Sequence, residues 1–146
     1  MEKLLAVENL AVEFRVQAGT VRALDGVSFT VPQAQTIAIV GESGSGKSTI
    51  AQAILGILPE NGRIVGGRIF FQDPRGGDEV DIARLNPRGR TMRAMRGGRM
   101  SMIFQEPMTS LSPVHTIGDQ VAEAMRLHRT ASRAEAQRTM REMLTL

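Results

Sequence analysis

Apolar and polar residues alternate with a period near two along residues 4–16, from Leu4-Leu5-Ala6-Val7 to Phe14-Arg15-Val16. The stretch is rich in Val and Leu and carries no helix cap, which predicts one or two strands. Gln17-Ala18-Gly19-Thr20 reads as a turn, and Val21–Val31 as further strand ended by Pro32. Thr36-Ile37-Ala38-Ile39-Val40 is a continuous apolar run, the kind that is buried on both faces of a parallel sheet. A glycine-rich loop follows at 41–46. Lys47–Leu58 then reads as a helix, with Ile50, Ala53, Ile54, Ile57 and Leu58 at helical spacing, stopped by Pro59-Glu60-Asn61-Gly62. Arg63–Gln72 is strand-like and 73–81 is a polar loop. Asn86-Pro87 opens a short helix that ends at Gly97-Gly98, and Met100–Phe104 is a second apolar strand.

The last forty residues predict helices. Thr116-Ile117-Gly118-Asp119 resembles a capping box with Asp in the acidic position, and Ser132-Arg133-Ala134-Glu135 is a complete one. Ala136, Met140, Met143 and Leu144 share a face of the final helix. Leu146 falls within that face with no C-terminal cap, which predicts a truncated domain. The expected fold class is α/β: a parallel sheet, an N-terminal antiparallel β lobe and helices in the terminal stretch. The expected divisions are 1–35 for the β lobe, 36–58 for strand, loop and helix, 59–104 for strands with a basic short helix, and 105–146 for the rest.

Composition narrows the chemistry. The 146 residues are 42% hydrophobic and 23% charged, which argues against disorder throughout. There is no cysteine, so disulfide scaffolds, thiolate metal sites and a catalytic thiol are excluded. No apolar run is long enough to span a bilayer, and the first residues do not look like a secretory signal, so a cytoplasmic location is expected. Of the eighteen basic residues, lysine supplies only Lys3 and Lys47.

Lys47 sits in Gly41-Glu42-Ser43-Gly44-Ser45-Gly46-Lys47-Ser48, which matches G-x-x-x-x-G-K-[ST]. Glycines let such a loop curl so that successive N–H groups point inward, and the following helix presents its positive end. Those donors would hold the β- and γ-phosphates of a nucleotide. Lys47 adds a point charge on the same oxygens, and the Ser48 hydroxyl suits Mg²⁺, a hard cation. Thr49 continues the first turn toward the α-phosphate. The plain alternative is a Gly/Ser turn between strand and helix, which would leave one of two lysines there by accident.

With its flanks, Ile39-Val40-Gly41 through Ser48-Thr49 resembles the Walker A loop of ABC transporter ATPases, in particular the subunits that power oligopeptide, dipeptide, nickel and glutathione import. Met102-Ile103-Phe104-Gln105-Glu106-Pro107-Met108-Thr109-Ser110-Leu111-Ser112-Pro113 is similar to that group's Q-loop, with Ser112 where Asn is usual. Ala23-Leu24-Asp25-Gly26-Val27-Ser28-Phe29 also fits. The resemblance covers the whole chain but only the first half of the family's domain, and it implies a P-loop nucleotide-binding core with the Q-loop and the start of a helical subdomain at 105–146. It implies binding of ATP and Mg²⁺ through residues 41–49. Phe14 would stack on adenine, against the alternative of a core phenylalanine on a strand. Gln105 would join Ser48 at the metal and sense the γ-phosphate. Residues 106–119 would meet a transmembrane permease subunit. A second ATPase subunit, identical or not, would complete the composite sites, and the protein would lie peripherally on the cytoplasmic side of the inner membrane.

Departures from the family pattern set further expectations. Ala34 replaces a glycine usual before the Walker A strand, and a positive φ there would disfavour alanine. The LSGGQ signature, the Walker B aspartate, the catalytic glutamate and the switch histidine would all lie past residue 146, so this stretch by itself would bind ATP weakly at best. Neither Glu135 nor Glu142 follows an apolar strand, so neither can replace that glutamate. His115 and His128 read as ordinary surface residues. Between Asp81 and Glu106 there are six arginines (Arg84, Arg88, Arg90, Arg93, Arg96 and Arg99) and no acid. The rival function is therefore a non-catalytic nucleotide- or polyanion-binding module using segment 84–99. With no Tyr or Trp to stack bases, nucleic acid is disfavoured. A solvated helix face or attraction to anionic lipid are the other readings of that segment.

Overall fold

A computed structural model describes residues 2–105, 111–129 and 132–145 of the chain. It divides into two units, Met1–Arg93 and Ala94–Leu146.

The first unit is built on one sheet. Strands β1 (Lys3–Val16), β2 (Gly19–Pro32), β3 (Gly62–Phe71) and β4 (Val80–Asp81) lie in the order β2-β1-β3-β4, every pairing antiparallel. The β1–β2 hairpin turns at Gln17-Ala18 and runs to Lys3 opposite Pro32. Register shifts around Asn9 break simple alternation, so Val7, Leu10 and Val12 all reach the core with Leu24, Ile69 and Phe71. Asn9 takes the left-handed conformation, and its N–H donates to Ser28 Oγ at 2.8 Å. On the neighbouring strand Gly67 also has positive φ, and a Cβ there would collide with Asn9 O.

Helix α1 (Lys47–Ile54) buries Ile50 and Ala53 and touches β2 and the 3₁₀ turn Ile82–Arg84. It ends four residues before the predicted Leu58. Gly56 turns left-handed at φ 61, its N–H bonds to Ala53 O, and the Ile57 N–H reaches back to Gln52 O. That pair of bonds is a Schellman closure, and Gly56 rather than Pro59 stops the helix. Asp81, which sequence placed in a polar loop, pairs with Phe70 as the end of β4. Its Oδ1 accepts from the Ile69 and Ala83 N–H groups, and Oδ2 meets Arg68 at 3.0 Å and Arg84 at 3.4 Å. Asn86 does not begin a helix directly. It closes a turn by accepting from Arg88 N–H and Gly89 N–H, and α2 starts at Arg90 and runs to Met95.

Two predicted strands are absent. Residues 36–40 and 101–104 belong to no strand, and Met100 makes only an isolated bridge to Arg96. Val40 is 91% exposed and Ile103 92%. A parallel strand needs neighbours on both sides for its N–H and C=O groups. Among the described residues neither segment has one, so apolar character alone does not make it a strand.

In the second unit α3 (Ile117–Arg129) packs on α4 (Arg133–Leu144), burying Ala122 and Ala136. Thr116 Oγ1 accepts from the Asp119 N–H at 3.1 Å and donates to Asp119 Oδ2 at 2.7 Å, capping α3. Ser132 and Glu135 form both bonds of the capping box on α4. Met143 and Leu144, assigned to the apolar face, are exposed. Among the described residues no helix is long and apolar enough to cross a membrane.

Candidate phosphate-binding loop and its surroundings

After Val40 the chain curls through Ser43-Gly44 and enters α1 at Lys47. Two glycines make the curl possible: Gly44 has φ 79, and Gly46, the residue that begins the helix, has φ 91. L-residues with a Cβ resist that region. Gly46 also lies against β2, where a Cβ would stand 2.7 Å from Leu24 Cδ2 and 3.0 Å from Ala23 O. The hairpin thus fixes where the helix N-terminus sits. Ala23 and Leu24 are site-forming residues that motif reading attached to the family pattern without a role.

The loop is held from inside by two groups. Ser45 N–H donates to Glu42 O at 3.2 Å. Lys47 Nζ donates to Gly41 O at 2.8 Å, to Glu42 O at 2.5 Å and to Ser45 Oγ at 3.2 Å. Among the described residues the N–H groups of Gly44, Gly46, Lys47 and Ser48 have no protein acceptor, and the first inward helical bond is Ile50 N–H to Gly46 O at 3.0 Å. Orphan donors at a helix N-terminus beside an ammonium group suit an anion with several oxygens. The Ser48 side chain is exposed on the first turn and Thr49 is half-buried. Among the described residues no group of three or more His, Asp or Glu could hold a metal by itself. A divalent cation here would therefore take its oxygens from the Ser48 hydroxyl, phosphate and water, which suits Mg²⁺.

Phe14 lies in the same unit, half-buried on β1, opposite Val21 and Gly62. Its ring covers Gly62 so closely that a Cβ there would come within 2.6 Å of Cε1. The strand is pinned beside it by Arg15 N–H to Asn61 O at 2.8 Å and Asn61 Nδ2 to Arg15 O at 3.0 Å. Next to Phe14, Glu13 accepts a forked bond from Arg22 Nε and Nη2, and Arg22 also meets Asp25 at 3.0 Å. The Arg22 hydrogen bond, more than any other cause, holds the Glu13 carboxyl below its ordinary value, with Arg63 adding to the effect. Ala34 has φ 55, the strained value its sequence position warned of.

Gln105 belongs to the second unit and is exposed. Glu106, Pro107, Met108, Thr109 and Ser110 lie outside the described residues. The description resumes at Leu111. Gln120 clamps the turn before α3 by donating to Ser112 O and His115 O and accepting from Ser112 N–H. His115 Nδ1 is 2.9 Å from Ser112 Oγ. In the arginine-rich segment, Arg84 pairs with Asp81 and Arg88 with Glu60 at 3.2 Å.

Known proteins place this chain in a family. The family model for ABC transporters matches residues 24–145. The dipeptide transport ATP-binding protein DppD of Bacillus subtilis (strain 168) is 45% identical over 147 residues, spanning 100% of this chain and 42% of the relative. The glutathione import ATP-binding protein GsiA of Escherichia coli (strain K12) is 43% identical over 141 residues, 97% of this chain and 22% of the relative. The chain thus spans less than half the length of these relatives. A dimeric ATP-binding cassette in a post-hydrolysis state bound to ADP and Pi superposes with a TM-score of 0.77 at 19% identity, over 97% of this chain and 56% of that one, which shows the fold. The chain belongs to the ABC transporter family, in the group of ATP-binding proteins that includes the peptide and glutathione importers.

Proposed function

We propose that this chain binds ATP with Mg²⁺ as the nucleotide-binding part of the energy-coupling subunit of a peptide-type importer. The observation that carries the reading is the loop at 41–48: unbonded N–H groups at a helix N-terminus, with the Lys47 ammonium held in the same loop by Gly41 O and Glu42 O. In this reading residues Gly41 to Thr49 hold the phosphates, and the Ser48 hydroxyl offers an oxygen to Mg²⁺. Phe14 stacks on adenine. The cation supplies charge neutralisation for the β- and γ-phosphates, which is what phosphoryl transfer asks of it.

Hydrolysis and transport need more than this cradle. A water must be positioned and the developing charge stabilised, work that the family resemblance gives to the signature, the Walker B aspartate, the catalytic glutamate and the switch histidine. We therefore assign those activities to a protein of the relatives' length, paired with a second ATPase subunit and seated on permease subunits through residues 106–119. Its place is the cytoplasmic face of the membrane.

The test is equilibrium binding of a fluorescent ATP analogue with Mg²⁺ to the chain and to Lys47→Ala. Loss of binding by a factor of about ten or more is expected, because an ammonium–phosphate bond is charge-assisted. Equal binding by both proteins overturns the assignment.

A further inference from the structure

Lys47 has three N–H donors, and all three are used within the loop. Two go to main-chain oxygens, Gly41 O at 2.8 Å and Glu42 O at 2.5 Å. Those carbonyls can leave only if the curl unwinds. The third goes to the Ser45 hydroxyl at 3.2 Å, the longest of the set and the only acceptor on a rotatable side chain. That hydroxyl is turned over Gly41, so near that a Cβ on Gly41 would stand 2.8 Å from Ser45 Oγ. The bare Cα of Gly41 is what gives the hydroxyl its place.

We infer that Ser45 is a positioning residue that holds the third Lys47 donor until a phosphate oxygen takes it. The inference rests on the phosphate-loop reading and adds an exchange step to it. A phosphate oxygen is the stronger acceptor, because it is charged. Binding therefore trades an ammonium bond to a neutral hydroxyl for one to a charged oxygen, while the two carbonyl bonds keep the ammonium aimed. The hydroxyl is then a competitor of the ligand. Removing it leaves the third donor to water, which is a weaker obstacle in an exposed loop.

The experiment compares wild type, Ser45→Ala, Ser45→Thr and Lys47→Ala with three probes: fluorescent ATP, tripolyphosphate and adenosine. Thermal melts confirm that each variant is folded. Ser45→Ala should bind ATP and tripolyphosphate roughly threefold more tightly, the size of one modest hydrogen bond. Adenosine affinity should not change, and Ser45→Thr, which keeps the hydroxyl, should restore wild-type values. A purely structural role for Ser45 would move all three probes together. If wild type binds tripolyphosphate, Lys47→Ala does not, and Ser45→Ala binds equally or less well, the exchange is wrong while the phosphate loop stands. If wild type and Lys47→Ala are alike, the loop assignment falls and the exchange with it.

Discussion

Gly46 and Leu24 meet with no room for a side chain between them: a Cβ on Gly46 would stand 2.7 Å from Leu24 Cδ2. The contact joins the start of α1 to the β hairpin, and Gly46 is at φ 91. Gly46→Ala therefore meets two obstacles, a left-handed backbone and a collision. A loss of about 2 kcal/mol or more is expected. Chemical denaturation reads the stability, and ATP titration of the folded fraction should show binding lost as well. A variant as stable as wild type would show that the loop relaxes away from Leu24.

Ala34 is the opposite case. It is exposed, with φ 55, so its strain lies in the backbone of a surface turn. Ala34→Gly should stabilise the chain by about 1 kcal/mol, less than the full strain because glycine gains freedom in the unfolded state. The melting temperature should rise by roughly 2–4 °C. A fall would mean that the turn at Gln33-Ala34 is not strained in solution.

Phe14 separates base from phosphate recognition. With the ring stacked on adenine, Phe14→Ala should weaken ATP binding by about 1 kcal/mol or more and leave tripolyphosphate affinity unchanged. Equal losses for both ligands would point instead to damage of the β1–β3 contact at Gly62.

Acid should loosen α4 from its N-terminus. The Ser132 N–H, followed by the Ser132 hydroxyl, stabilises the Glu135 carboxylate and lowers its pKa. With the folded value below the unfolded one, the capping contribution is complete above the ordinary glutamate range. It disappears as pH falls through the folded value. Amide resonances of Ser132 and Glu135 followed by NMR should move together in that acidic window, and Glu135→Gln should flatten the response. A cap insensitive to pH would contradict the bonding seen here.

Sequence made the local chemistry legible and left the long-range pairing obscure. The G-x-x-x-x-G-K-[ST] pattern, the Ser132/Glu135 box and the strain at Ala34 depend on a few neighbouring residues, and each can be checked within one turn or loop. Thr36–Val40 and Met100–Phe104 carried a strand signal that depends on partners elsewhere, and among the described residues neither forms a strand, Met100 making only an isolated bridge to Arg96. The early stop at Gly56 was readable in principle, since a glycine in the last turn is a standard left-handed closure, but Pro59 offered a more obvious stop. Nothing in the spacing announced the Ser45–Lys47 bond or the fit of Gly46 to Leu24, because both depend on how the hairpin meets the helix.

Asn9 and Gly67 face each other from adjacent strands, both left-handed, with Gly67 so close to the main chain of Asn9 that only a hydrogen fits. The two work like a key and its slot. Sliding β3 by one residue would bring Gly66 or Arg68 to Asn9 in place of the notch, and Arg68 would have to fit its side chain where there is no space. The alignment of the sheet is thereby indexed at a single tooth, and the hairpin that seats the phosphate loop cannot drift along its neighbour without first unlocking it.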